Sequence, residues 1–162
     1  MRKRCLFSAL LFALVFSSGA LQCQPLTVQT DSGKQVVLSR TDLEALPHVK
    51  VTASEHSSGP VNFEGVTLKS VLEKAGVTFG ESMKGKRRTN CLLVEAADGY
   101  RAVIALPELD PAFTDKQTLL AFLRDGKPLG EKEGPYRIVI PDEKRMARWV
   151  MQVTTLKIVD VQ

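Results

Sequence analysis

The sequence predicts an α+β fold, a mixed and mostly antiparallel sheet with a few short helices, in one domain. Three observations predict it. Many short stretches alternate apolar and polar residues, as half-buried strands do. Turn-forming clusters such as "DSGK", "DG" and "DGKPL" separate those stretches at short intervals. Helical periodicity is confined to two brief segments, and no repeat, linker or low-complexity run interrupts residues 24–162.

The elements follow in order. "LTVQT" (26–30) and "QVVLS" (35–39) alternate on either side of "DSGK" and read as a β-hairpin. In "TDLEALP" (41–47) Thr41 caps a short helix, Glu44 completes a capping box and Pro47 ends it. "HVKVTAS" (48–54) alternates as a strand, and "SSGP" (57–60) reads as a loop. Within "VNFEGVTLKSVLEKAGV" (61–77) a short strand runs to Phe63 and breaks at Gly65. Thr67 then caps a helix with Leu68, Val71, Leu72 and Ala75 on one face, and Gly76 closes it.

Downstream, "KGKRR" (84–88) falls on a loop, and "NCLLVEAADGYRAVIA" (90–105) is a hairpin with Asp98-Gly99 at its tip. "LPELD" is a brief helical turn or loop. "TLLAFLRDGKPL" (118–129) is a strand followed by a turn, and "YRIVI" and "VTTLKIVDV" are strands. Cys91 lies in an apolar strand and is expected to be buried, where a thiol behaves as a small hydrophobe.

The N-terminus has the pattern of a secretory signal. Arg2, Lys3 and Arg4 precede the apolar run "CLFSALLFALVF", and small residues at Ser18 and Ala20 place cleavage after Ala20. Residues 1–20 are then a signal peptide and 21–162 a single domain, exported to the periplasm or secreted. Acylation of Cys23 is the rival reading, against which Gln22 stands where a small residue is wanted. No other stretch is apolar for long enough to make a stable membrane span.

Removing the signal changes the charge. The chain has 22 Lys+Arg and 18 Asp+Glu; three bases and no acid lie in the signal, leaving 19 against 18. A near-neutral domain gives no support to nucleic-acid binding. Cys23 and Cys91 are far apart in sequence; a disulfide between them and two free thiols both stay open. No Cys/His spacing matches a zinc site, and the absence of G-x-S-x-G, H-E-x-x-H and a P-loop removes the common hydrolase readings.

Candidate ligand contacts concentrate in "GPYRIVIPDEKRMARW" (134–149). Lys144, Arg145 and Arg148 follow an apolar strand and Pro141, with Trp149 beside them. Guanidinium forks suit phosphate oxygens, and an indole can stack on a flat ring. An anion site with Trp149 as its wall is one reading. In the other, Trp149 packs in the core and the bases form a rim paired locally with Asp142 and Glu143. His56, beside Glu55 on the expected 57–60 loop edge, is a further ligand-facing candidate. "KGKRR" reads as a solvated basic loop, and His48 as structural.

Four segments in order carry a resemblance: "FEGVTLKSVLEKAGV", "ADGYRAVIALPELD", "LLAFLRDGKPLGEKEGPYRIVIP" and "KRMARWVMQVTTLKI". Over roughly residues 35–160 the chain resembles the sulfite-oxidase-type molybdopterin-binding domain family, in particular its small exported members. The resemblance implies a mixed α/β domain, molybdopterin as cofactor, and pterin and phosphate contacts in the segment holding Lys144, Arg145, Arg148 and Trp149. It also implies a molybdenum-ligating cysteine shortly before the aromatic-x-Gly motif. In this chain that stretch, "VKVTASEHSSGPVN" (49–62), has no cysteine. The expected function is therefore an exported, non-catalytic binding module for an anionic small molecule or a partner protein. The alternative is a molybdopterin-dependent oxidoreductase with an unusual molybdenum ligand set.

Overall fold

A computed structural model describes residues 24–55, 58–141 and 143–161. The segment 1–20, Cys23 and its pairing with Cys91, His56 and Asp142 therefore lie outside the described residues.

The first hairpin joins β1 (Leu26–Gln29) to β2 (Gln35–Leu38). After α1 (Arg40–Glu44) come β3 (His48–Glu55) and β4 (Ser58–Thr67), then α2 (Leu68–Lys74). The hairpin β5 (Cys91–Ala96) and β6 (Arg101–Ala105) turns at Gly99, whose φ of 86° suits glycine. β7 (Leu119–Arg124), β8 (Lys127–Pro128), β9 (Arg137–Val139) and β10 (Val153–Val159) complete the chain. Short 3-10 turns lie at Gly80–Ser82, Gly85–Thr89, Leu106–Leu109 and Met146–Arg148.

The strands form two sheets where the alternation alone suggested one. The first has the order β2-β1-β10-β5-β6; the second runs β3-β4-β7-β8, with β9 also paired to β7. Every pairing is antiparallel except β1 with β10. The inward residues of both sheets and of α2 join one apolar cluster that includes Val28, Phe63, Leu72, Leu92, Phe122, Ile138, Trp149 and Leu156.

Three local expectations are corrected. Ser39, not Thr41, caps α1: its hydroxyl accepts from the Asp42 amide, and Asp42 reciprocates on the Ser39 amide at 2.9 Å. A two-carbon carboxylate three residues after the cap closes the same box that Glu44 was expected to close. Residues 58–60 are the start of β4, because the 48–55 strand offers them a partner along its whole length. Gly65 does not break that strand. A Cβ there would lie 2.1 Å from the Leu120 carbonyl oxygen, so glycine lets β4 and β7 approach at a register shift.

Candidate functional site

Arg137 lies in β9, whose three residues are all buried, and its side chain is only 1% exposed. A guanidinium so placed must find anionic partners, since an isolated buried charge is very costly. It finds two. Nη2 meets Glu55 Oε1 at 2.7 Å, and Nη1 meets Glu133 Oε2 at 3.1 Å. Arg124 closes the circuit, with Nη2 on Glu55 Oε2 and Nη1 on Glu133 Oε1, both at 2.6 Å. The result is a charge-balanced ring in which each carboxylate bridges both arginines.

Different elements deliver the four members. Glu55 ends β3, just past a register shift in its pairing with β4. Arg124 ends β7, where Asp125 and Gly126 turn the chain with φ of 48° and 76°. That turn is tied to β4: the Asp125 amide donates to the Asn62 carbonyl at 2.8 Å, and the Asn62 amide donates to Asp125 Oδ1 at 3.0 Å. The Glu133 amide donates to the Gly130 carbonyl and its own carbonyl accepts from the Gln152 amide, each at 2.9 Å.

An aromatic floor supports the ring. Arg137 Cζ sits 5.2 Å from the Phe63 ring centroid and 5.5 Å from that of Trp149, and Arg124 Cζ sits 5.9 Å from Phe63. Phe63 and Trp149 meet edge to face at 6.0 Å. The Trp149 indole N–H donates to the Ile140 carbonyl at 3.0 Å.

Of the residues singled out in sequence, the structure brings some to this ring and keeps others away. Trp149 is 4% exposed and packs in the core, where Arg137 rather than Arg148 faces its ring. Arg148 lies at the surface, and its Nε donates to Glu143 at 2.6 Å while Nη2 reaches Glu108 at 3.2 Å. Partial burial works against its charge, but the hydrogen bonds it donates to Glu108 and Glu143 outweigh that and hold its pKa above the ordinary arginine value. Lys144 and Arg145 are exposed and make no ion pair among the described residues. Tyr100 braces this turn by donating to the Ala147 carbonyl at 2.6 Å.

Cys91 is corrected from buried to partly exposed. In β5 the even positions Leu92, Val94 and Ala96 face the core, and Cys91 stands on the other face. "KGKRR" is a 3-10 turn whose lysines are exposed, while Arg87 is pinned by Thr78 and by Asp31 at 3.2 Å. Arg124, Glu133 and Arg137 were missed as a site. The legible signal was arginine inside the otherwise apolar runs "LLAFLR" and "YRIVI", which demands a buried acid; which acid answers is set by tertiary contacts.

The residues present do not fit a protein-ligated molybdenum centre. The stretch 49–62 offers no thiolate, the donor that suits that metal. Its Glu55 is committed to two arginines. The only cysteine among the described residues, Cys91, belongs to the other sheet. No group of three or more His, Cys, Asp or Glu side chains among the described residues is arranged to hold a metal ion. A surface cleft of about 340 Å³ beside the ring is lined by Lys50, Asn62, Phe63, Glu64, Asp125 and Gly126, with two acids to one base.

The family model described as the oxidoreductase molybdopterin binding domain matches residues 22–162. Among solved structures, the chain is similar to the crystal structure of the sulfane dehydrogenase SoxCD from Paracoccus pantotrophus. The TM-score is 0.66 at 21% identity, over 85% of this chain and 38% of that one, and at this identity the likeness is one of fold. No curated protein matches the sequence.

Proposed function

The chain belongs to the oxidoreductase molybdopterin-binding domain family, and from that premise we propose that it is an exported, non-catalytic binding module. Its ligand is a small anionic molecule. One observation carries the reading: the stretch 49–62, where the resemblance implies a molybdenum-ligating cysteine, has none, and its Glu55 is locked between Arg124 and Arg137. A carboxylate that already bridges two guanidiniums at 2.6 and 2.7 Å has both oxygens engaged and is poorly placed to serve as a metal ligand. The "MRKR" n-region and the apolar run after it support export.

Of the three bases after Pro141, Lys144 and Arg145 make no ion pair among the described residues and are left to meet the ligand, because Arg148 is already neutralised by Glu108 and Glu143. The test is calorimetric titration at low salt with a phosphate-bearing pterin. The parent is expected to bind, and the Lys144→Ala/Arg145→Ala double variant to bind about tenfold more weakly, as loss of charged hydrogen bonds implies. Equal affinity in both proteins would move the ligand away from these residues. Capture of an acidic protein in place of the pterin would make the ligand a partner surface. Molybdenum-dependent reduction of an electron acceptor would overturn the non-catalytic reading.

A further inference from the structure

The Arg124–Arg137 pair has the chemistry of a ligand site, but the anions in it belong to the chain. Two guanidinium forks converge on one carboxylate from two strands, β7 and β9, and both oxygens of that carboxylate are taken. The fork geometry matches a carboxylate or a tetrahedral oxyanion equally well. The aromatic floor of Phe63 and Trp149 shields Arg137 from water: it is 1% exposed, whereas Glu55 retains 13%, Glu133 21% and Arg124 29%. The ring thus buries Arg137 and opens to solvent where Arg124 and the two carboxylates meet.

The two carboxylates are not equivalent. Glu133 is four residues from Arg137, and its backbone is held by Gly130 on one side and Gln152 on the other. Glu55 comes from a different hairpin and stands beyond the Ser54/Glu55 register shift, where regular pairing of β3 with β4 ends. We infer that Arg124 and Arg137 form an anion cradle that the chain keeps filled with its own Glu55, and that an external carboxylate or small oxyanion binds there by displacing Glu55. This rests on the reading of the domain as a binding module that lacks the molybdenum-ligating cysteine.

The physical consequence is sharp. Without the Glu55 carboxylate, two guanidiniums share only Glu133, and one positive charge is left uncompensated against the aromatic floor. A site in that state gains from any anion small enough to enter. Arg137 would then be served by a diffusible ion in place of a tethered one.

The experiment uses the full chain and its Glu55→Ala variant, with sodium formate and sodium sulfate as probes and sodium chloride at matched ionic strength as control. Thermal melts and calorimetry are read together. In the parent, formate or sulfate should bind saturably and more tightly than chloride, but weakly, because each must displace Glu55; no specific binding to the parent would overturn the displacement. Glu55→Ala should melt lower, recover saturably in formate or sulfate, and bind the better probe about tenfold more tightly than the parent does. Preference for formate identifies a carboxylate ligand, and preference for sulfate an oxyanion. A Glu55→Ala/Arg124→Ala double variant should lose the response. Should Glu55→Ala be unfolded alone, the probe anions should refold it where chloride does not.

The inference is overturned if Glu55→Ala melts like the parent with no specific anion response, if chloride serves as well, or if the variant stays unfolded in all three salts. Any of these would leave the binding-module reading standing, since that reading is tested on the unaltered chain. Conversely, ligated molybdenum in the unaltered chain would sink that reading whatever formate does.

Discussion

Arg137 is the residue whose environment is hardest to reconcile with a plain sheet interior. Its charge is carried at 1% exposure, and its neighbours are two aromatic rings and two glutamates. Removing it leaves two carboxylates facing one guanidinium and opens space beside Phe63 and Trp149. Arg137→Ala should therefore lose about 3–5 kcal/mol of stability, read as a fall in the urea midpoint. Cys91 stands at the other extreme. With its side chain on the outer face of β5 and its thiol only 3.7 Å from the Thr89 carbonyl oxygen, Cys91→Ser should change stability by no more than about 0.5 kcal/mol. The folded parent should also react with a thiol reagent. The sequence pattern misled on Cys91 because "NCLLVEA" is apolar on both faces, so alternation did not reveal which face points inward. For Arg137 the pattern showed a charge in an apolar run but not the acids that answer it, which come from residues 55 and 133.

Elements whose signal is local were legible, and those set by neighbours were not. The "DG" turns, the Thr67 cap and Gly76 follow from short-range chemistry: the Thr67 hydroxyl accepts from the Ser70 amide at 3.1 Å, and Gly76 has a φ of 99°. Thr67→Ala should cost about 1 kcal/mol, measured by chemical denaturation. Residues 58–60 look like a loop alone and become strand because β3 lies beside them. Gly65 is the clearest case. Alanine there would press its Cβ to 2.1 Å from the Leu120 oxygen and 2.7 Å from Ala121 Cα, both backbone atoms that cannot rotate away. Gly65→Ala should destabilise by about 3 kcal/mol or more, or part β4 from β7. At α1, the Ser39 hydroxyl and amide hydrogen bonds hold the Asp42 carboxyl below the usual range. A depressed carboxyl stabilises above its unfolded value, and the contribution is lost as pH falls through the folded value. Ser39→Ala should raise the Asp42 pKa in an NMR titration and remove this part of the acid dependence below about pH 4.

At the scale of the whole molecule, two sheets enclose one core, and β10 closes the first sheet by running parallel to β1. That pairing joins the two ends of the described chain, so no short-range pattern could have announced it. The family was legible nonetheless, because its signal is an ordered set of segments along nearly the whole domain. The chain spans 38% of the SoxCD chain it resembles, so the likeness concerns only part of that protein. This domain has no cysteine in the stretch 49–62 and carries a closed ring of two arginines and two glutamates, one of them Glu55 from that stretch. The most direct test is the molybdenum content of the unaltered protein, purified from a host that makes the cofactor and compared with protein from a cofactor-deficient host. The lack of a thiolate in 49–62 predicts the same background level from both hosts. Molybdenum retained in a fixed proportion to protein, only from the competent host, would contradict it.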